Sequence, residues 1–305
     1  MDEQVLVTGA FGFIGRHVAR LVARQGHTVV GIGHGSWSPE QWRAWGLHEW
    51  HMADVTLENL VAYGGRPATI FHCAGSGSVA YSTTHPHQDF QRTVATTAAV
   101  LEFARLHAPA AAVVYPSSAA VYGRAVRIPI AVSDPVQPVS PYGLHKAMAE
   151  MLCRSYASGF GPRCAIVRLF SVYGEGLRKQ LLWDACTKIG RGEARFFGTG
   201  EERRDWLHVH DAARLLALAA SHAGAECPTV NGGTGQGASV REVVERIALE
   251  MGAGAQPEFT GTQREGDPPA YVADVASASR WNWEPSTSWS KGIGDYVRWF
   301  LGERA

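Results

Sequence analysis

Three residues of the chain are spaced for moving a proton on and off a substrate oxygen. Tyr142 and Lys146 lie four positions apart in Ser140-Pro141-Tyr142-Gly143-Leu144-His145-Lys146. Ser140 is a good helix N-cap and Pro141 a good first helical residue, so the stretch predicts a helix over Pro141–Ser158 that opens on Tyr142. Four positions along a helix put two side chains on one face. An ammonium near a phenol favours the phenolate and pulls its pKa from about 10 toward working pH, which suits general acid–base catalysis. Ser118 closes the strand-like run Val114-Tyr115-Pro116-Ser117-Ser118, where its hydroxyl would hydrogen-bond the same oxygen. A surface Tyr–Lys pair has the same spacing. The catalytic reading therefore leans on what lies upstream.

Upstream, Thr8-Gly9-Ala10-Phe11-Gly12-Phe13-Ile14-Gly15 forms a G-x-x-G-x-x-G loop between the strand Gln4–Thr8 and the helix Phe13–Gln25. Glycines there permit a tight turn and let the backbone approach a pyrophosphate at a helix N-terminus. Gly9, Phe11, Gly12, Phe13, Ile14 and Gly15 are accordingly the expected cofactor contacts of the loop. The second strand, Thr28–Ile32, runs into Gly33-His34-Gly35 without the Asp or Glu that reads an NAD ribose. No arginine stands there, although His34, Ser36 and Arg43 are available to a 2′-phosphate. The cofactor is read as NAD, with NADP left open, and an Asp placed at Gly33 is expected to shift preference toward NAD. Asp54 either faces the adenine, with Val55, or serves a helix N-cap. His72-Cys73-Ala74-Gly75 ends a strand at the sheet's carboxyl edge, which adds Cys73, Ala74 and Gly75 to the cofactor site, with Ser117 at the end of the next strand.

These residues need a scaffold, and the pattern supplies one. Strands at Thr69–Cys73, Ala112–Tyr115 and Cys164–Leu169 alternate with helices at Asp89–His107 and Pro141–Ser158. Such alternation predicts an α/β fold, a Rossmann-type doubly wound parallel sheet with helices on both faces. The regularity loosens after about Val172: a short strand at Arg195–Phe197, a helix near Asp211–Ser221, a strand at Thr229–Asn231, then Pro- and Gly-rich turns. We divide the chain into a dinucleotide-binding domain, 1–171 with 206–233 returning to it, and a discontinuous C-terminal substrate lobe, 172–205 and 234–305.

Composition narrows the class. The 305 residues are 46% hydrophobic and only 18% charged, which suits a globular core and argues against disorder. Lys plus Arg and Asp plus Glu number 28 each, so the chain lacks the electrostatic footprint of a general nucleic-acid binder. No apolar run approaches the ~18 residues of a membrane span, and no signal-peptide pattern precedes the first strand. The five cysteines form no C-x-x-C pair, which fits free thiols in a reducing, cytoplasmic compartment. His85-x-His87 and His208-x-His210 lack close sequence companions, so no metal is expected. The tryptophans between Trp37 and Trp50 are assigned to packing.

The glycine loop, the Ser118 segment and Tyr142-x-x-x-Lys146 together resemble the extended short-chain dehydrogenase/reductases, and within them the UDP-glucose 4-epimerases. Three later segments carry the same resemblance: Arg168-Leu169-Phe170-Ser171-Val172-Tyr173-Gly174, Arg203-Arg204-Asp205-Trp206-Leu207-His208-Val209-His210-Asp211, and Arg264-Glu265-Gly266-Asp267-Pro268-Pro269-Ala270-Tyr271. The resemblance implies that Ser118, Tyr142 and Lys146 are catalytic, and that Tyr142, Lys146 and Leu169 also meet the cofactor. It also implies that Ser118, Ser171 and Tyr271 meet the sugar, that Arg204 and Arg264 hold the diphosphate, and that the enzyme is a homodimer through the helices Asp89–His107 and Pro141–Ser158. Paired guanidinium groups are what a neutral protein needs to bind a dianionic diphosphate. The sequence departs from the family pattern at Gly33, at Thr93 in place of an asparagine, and at Ser171.

Two alanines follow Ser118, so the acid–base pair that water elimination requires is absent beside the tyrosine. The expected function is a nucleotide-sugar 4-epimerase, an isomerase working through a transient 4-keto sugar on a bound nicotinamide cofactor, with a UDP-linked substrate. The alternative is an NADPH-dependent reductase of a 4-keto-6-deoxy nucleotide sugar. A non-catalytic dinucleotide sensor would not need Ser118, Tyr142 and Lys146 together.

Overall fold

Val5, Leu6 and Val7 are buried on both sides of their strand, as a central parallel strand covered by helices must be. In the computed structural model, which describes residues 3–254, 256–262 and 269–303, this is β1 (Gln4–Thr8). It is followed by α1 (Phe13–Arg24), β2 (Thr28–Gly33), α2 (Pro39–Ala44), β3 (Glu49–Met52), α3 (Leu57–Tyr63) and β4 (Thr69–His72). Next come α4 (Val79–Thr84), α5 (Pro86–Phe90), a π-helical turn (Gln91–Ala95), α6 (Thr96–His107), β5 (Ala112–Ser118) and a 3₁₀ turn (Ala119–Tyr122). Then follow α7 (Pro141–Gly159), β6 (Arg163–Leu169), β7 (Ser171–Tyr173), α8 (Gln180–Ile189), β8 (Arg195–Phe196), β9 (Arg203–His208), α9 (Val209–His222) and β10 (Thr229–Gly232). The chain ends through β11 (Gly237–Ser239), α10 (Val240–Glu250), β12 (Glu258–Phe259), β13 (Ala270–Tyr271), α11 (Ala276–Ser279) and α12 (Trp289–Gly302).

The main sheet has seven strands in the order β10-β6-β5-β4-β1-β2-β3. Strands β1 to β6 pair in parallel, as expected of a doubly wound sheet. The order reverses between β1 and β4, and loops leaving the carboxyl ends of two such strands diverge and leave a crevice. On one face Leu6, Ile32, Ile70, Val113 and Ile166 pack against Val100, Leu101 and Phe103 of α6 and Ala149 and Cys153 of α7. Each of the larger side chains contributes about 1.5–3 kcal/mol by its burial.

Two elements differ from the sequence expectation. The helix expected over Asp89–His107 begins at Pro86 and is broken by the π turn at Gln91–Ala95. There Thr96 and Thr97 turn their hydroxyls back onto the carbonyls of Arg92 (2.7 Å) and Thr93 (2.6 Å), a habit that loosens regular α-helix. β3, whose sequence is Glu-Trp-His-Met, carries no apolar run because it is an edge strand paired only with β2.

The chain divides into two compact units: residues 1–124, 133–169 and 213–230, and residues 125–132, 170–212 and 231–305. The second contains a small sheet in the order β11-β9-β13, with β7 also paired to β9. Among the described residues no helix is long and apolar enough to cross a membrane.

Candidate active site

The glycine loop sits where β1, β2 and β4 end. A β-carbon on Gly9 would stand 2.6 Å from the Ala74 nitrogen and 2.8 Å from the Cys73 carbonyl carbon, and one on Gly15 would stand 2.3 Å from the Gly9 oxygen. Only hydrogen fits at these positions. The loop therefore folds flat against Cys73-Ala74-Gly75, and Gly12 becomes the N-cap of α1, with no side chain capping the helix. An uncapped N-terminus of a twelve-residue helix, reached by a loop without β-carbons at Gly9, Gly12 and Gly15, fits the pyrophosphate of a dinucleotide. Phe11, Phe13 and Ile14 line this turn, half-buried.

The tryptophan-rich segment is explained here. Trp37 packs its edge on Phe11 (4.9 Å between ring centres) and meets Trp50 (5.4 Å). The Arg16 guanidinium lies 5.2, 5.4 and 5.3 Å from the ring centres of Phe11, Trp37 and Trp45. Its Nε donates to the carbonyls of Phe11 (3.2 Å) and Gly12 (3.3 Å). Arg16 thus pins the loop's peptide planes, and the tryptophans hold Arg16. An arginine directly after Gly15 was the available signal in the sequence.

At the end of β2, exposed His34 pairs through Nε2 with Asp54 Oδ1 at 2.7 Å. The N-cap of α3 is Thr56, whose hydroxyl accepts from the Asn59 N–H, while the Asp54 carbonyl accepts from Asn59 Nδ2. The carboxylate of Asp54 is thus free of the capping task it was weighed for, and Val55 behind it is buried. His72 is buried between Thr8 (2.8 Å) and Thr97 (3.1 Å), and burial with the Lys146 charge lowers its pKa to about 3, so the ring is neutral and structural. Burial likewise pushes the Cys73 thiol up to about 12, which makes it an inert wall.

Tyr142 and Lys146 share one face of α7. Ser140 caps the helix through the Gly143 N–H (3.1 Å), and the Tyr142 N–H donates to the Ser82 hydroxyl (3.0 Å). Lys146 Nζ donates to the Pro116 carbonyl at 3.0 Å and lies 6.0 Å from the centre of the Tyr142 ring. A β-carbon on Gly75 would stand 3.9 Å from that Nζ and 3.8 Å from Thr93 Oγ1, so the end of β4, the π turn and Lys146 converge. Ser118, which accepts from the Ala120 N–H (3.2 Å), hydrogen-bonds the Tyr142 side chain.

The electrostatics correct one expectation. The Tyr142 pKa is raised, not lowered: burial dominates, the hydrogen bond with Ser118 works against it, and the charge of Asp89 raises it further. Lys146 gives little help because it is itself buried, which lowers its pKa to about 8, and its ammonium is spent on a carbonyl. Successive strand residues point to opposite faces. The Ser117 hydroxyl accordingly donates to Glu150 (2.7 Å), which also takes two hydrogen bonds from Arg168 (2.9 and 2.7 Å). Ser117 therefore offers a cofactor only its backbone. Leu169, buried, stands opposite Ser118 on β6.

In the second unit, Ser171 on β7 registers with Trp206, and Tyr271 on β13 registers with Arg204, both on β9. Asp205 is fully buried and organises this sheet by accepting from the N–H groups of Thr234 (2.6 Å), Gly235 (2.9 Å) and Ala273 (3.1 Å). Phe170 flanks Tyr271, with 6.4 Å between ring centres. Arg264 lies outside the described residues. Glu175 hydrogen-bonds His210 (2.6 Å) and approaches His208 (3.8 Å), a companion that sequence spacing had hidden.

With this geometry in hand, comparison places the chain among known proteins. The profile of the NAD dependent epimerase/dehydratase family matches residues 5–233. The UDP-glucose 4-epimerase of Azospirillum brasilense is 34% identical, over 89% of this chain and 84% of its own length. That of Mycolicibacterium smegmatis is 30% identical, over 97% of this chain and 98% of its own. The solved structure of MoeE5 in complex with UDP-glucuronic acid and NAD superposes with a TM-score of 0.89 at 30% identity, covering 98% of this chain and 99% of that one.

Proposed function

The chain belongs to the NAD dependent epimerase/dehydratase family, and from that premise we propose that it inverts carbon 4 of a UDP-linked sugar. The observation that carries the reading is the grouping of Ser118, Tyr142 and Lys146 beside Gly75, at the carboxyl edge of the sheet. NAD, when bound, would supply a reversible hydride acceptor. Tyr142 takes the proton of the 4-hydroxyl and gives it back after the 4-keto sugar has presented its other face. Ser118 holds the reacting oxygen, and Lys146 orients the nicotinamide ribose. Gly9, Gly12 and Gly15 cradle the pyrophosphate, and His34 and Asp54 stand toward the adenosine end. Arg204 and Arg264 take the diphosphate, with Ser171 and Tyr271 beside the sugar.

Taken alone, the missing acid at Gly33 favours the NADPH-dependent reductase. Steric closeness to Gly9 explains that glycine without any appeal to the cofactor, so the epimerase reading stands ahead. A homodimer through α6 and α7 is supported by Leu144 and Met151, two turns apart on α7 and 50% and 69% exposed. Free thiols at all five cysteines suit a reducing, cytoplasmic setting.

The test is to purify the protein without added cofactor, extract and identify any bound dinucleotide, and incubate it with UDP-glucose. Conversion to the C4 epimer without added NAD(H) is expected. Turnover only of 4-keto sugars, and only with NADPH supplied, would replace this reading by the reductase.

A further inference from the structure

Lys146 is buried on α7 and, among the described residues, its ammonium makes one hydrogen bond, to the Pro116 carbonyl at 3.0 Å. An ammonium carries three N–H donors, and burying its charge without compensation is costly. No carboxylate among the described residues compensates it by contact: Glu150 on α7 accepts from Ser117 and Arg168, and Asp89 on α5 pairs with His145 at 2.6 Å. The other titratable groups around it are His72 on β4, Cys73 after β4, and Tyr142 and Cys153 on α7. What lies against the ammonium is an aromatic face. Nζ stands 4.8 Å from the centre of the Tyr115 ring on β5, inside the ~6 Å over which a ring face attracts a cation; the Tyr142 ring is looser, at 6.0 Å. Tyr115 is buried and burial keeps its phenol protonated, so it meets the charge as a neutral ring. His72 stacks on it with ring centres 5.8 Å apart and planes 28° apart, and His72 is itself held between Thr8 (2.8 Å) and Thr97 (3.1 Å). Two consecutive residues of β5 thus meet the ammonium, Tyr115 with its ring and Pro116 with its carbonyl.

We propose that Tyr115 is a positioning residue: its ring face, with the Pro116 carbonyl, seats the Lys146 ammonium and leaves the remaining N–H donors for the cofactor ribose. The part concerning the ribose rests on Lys146 orienting the nicotinamide ribose in the proposed epimerase. The choice of a ring has a physical reason. A carboxylate here would stabilise the charge but take the N–H donors for itself, as an ion pair does. An aliphatic side chain, such as the neighbouring Val113 and Val114 of β5, would fill the space and give the charge nothing. An aromatic face supports the cation through its quadrupole and accepts none of the in-line hydrogen bonds that a ribose hydroxyl needs. The seat matters because burial brings Lys146 down to about 8, so the ammonium survives at neutral pH by a narrow margin.

The titration of Lys146 can be read directly, because the chain has only four lysines, Lys146, Lys179, Lys188 and Lys291. Protein made with lysine carrying carbon-13 at Cε gives one resonance for each, and the signal missing from Lys146→Met identifies Lys146. The other three serve as internal references. Tyr115→Phe keeps the ring face, whereas Tyr115→Leu removes it. The Lys146 midpoint should stay within about 0.3 pH units of wild type in Tyr115→Phe and fall by about 0.5–1.5 units in Tyr115→Leu. The alkaline limb of kcat for UDP-glucose should move down with it in Tyr115→Leu. A midpoint in Tyr115→Leu equal to or above that of wild type would overturn the proposal, because a residue that only packs lowers the Tm without moving the titration. A fall in Tyr115→Phe as large as that in Tyr115→Leu would overturn it too, by assigning the effect to the hydroxyl. Should Tyr115→Leu not fold, a trifluorinated phenylalanine incorporated at position 115 decides alone, since it keeps the ring's shape and drains its negative face. A midpoint below that of Tyr115→Phe then supports the seat, and an equal one overturns it. Failure of the wild type to epimerise any UDP-sugar would instead remove the functional reading, and the titration, which needs no turnover, separates the two.

Discussion

Gly33 packs on Gly9 so closely that a β-carbon added to it would stand 3.2 Å from the Gly9 Cα and 3.3 Å from its nitrogen. Gly9 has no room to withdraw, being pressed in turn against Ala74. The end of β2 thus carries glycine because the loop lies against it. The carboxylate of this region sits instead at Asp54, paired with His34.

Gly33→Asp, expected from the sequence to sharpen selection of NAD, is now expected to disturb the loop. It should weaken NAD and NADP alike and cost about 1–3 kcal/mol of stability, the usual scale of overpacking. Titrations of both cofactors, with chemical denaturation, decide the matter. Tighter NAD binding at unchanged stability would restore the simpler expectation.

Tyr142→Phe keeps the ring and removes the proton. Turnover should fall by about 10²–10⁴-fold, the scale for losing a general acid–base group, with the Tm essentially unchanged. A near-full rate in this variant would take Tyr142 out of the mechanism.

Burial holds Lys146 at about 8, below its ordinary 10.5. A cation whose pKa is lowered on folding is penalised in the native state. The penalty is complete below about pH 8 and fades as pH rises toward 10.5, where the unfolded chain also loses the proton. Lys146→Met should therefore be more stable than wild type at pH 7, with the advantage shrinking between pH 8 and 10.5, and inactive throughout. Calorimetric scans across that range test it. A variant less stable at pH 7 would show that the native site rewards the charge.

Arg204 stands beside Tyr271 in the register of β9 and β13. Arg204→Met keeps the apolar stem and removes a charge-assisted contact to diphosphate. UDP affinity should drop by about 2–3 kcal/mol while NAD affinity holds. Calorimetric titration of UDP into both proteins reads this directly; equal affinities would make Arg204 a surface residue.

What the sequence determined by itself is local. The turn from β1 into α1 needs glycine at Gly9 and Gly15, and the capped helix at Ser140-Pro141 sets Tyr142 four positions from Lys146; both follow from backbone geometry over a few residues. The strands of the main sheet were legible because their apolar runs are buried on both faces, whereas β3, polar and at the edge, was not. Tertiary structure decided the rest, because it depends on residues far apart in the chain. The partner of His145 lies 56 positions away, and that of Glu150 in Arg168 comes from a strand across the core. Arg16 became a clamp only when Trp37 and Trp45 closed over it. The acidity of Tyr142 turned on how far water is excluded from it, which spacing along a helix does not encode: burial outweighed the lysine that the motif places beside it.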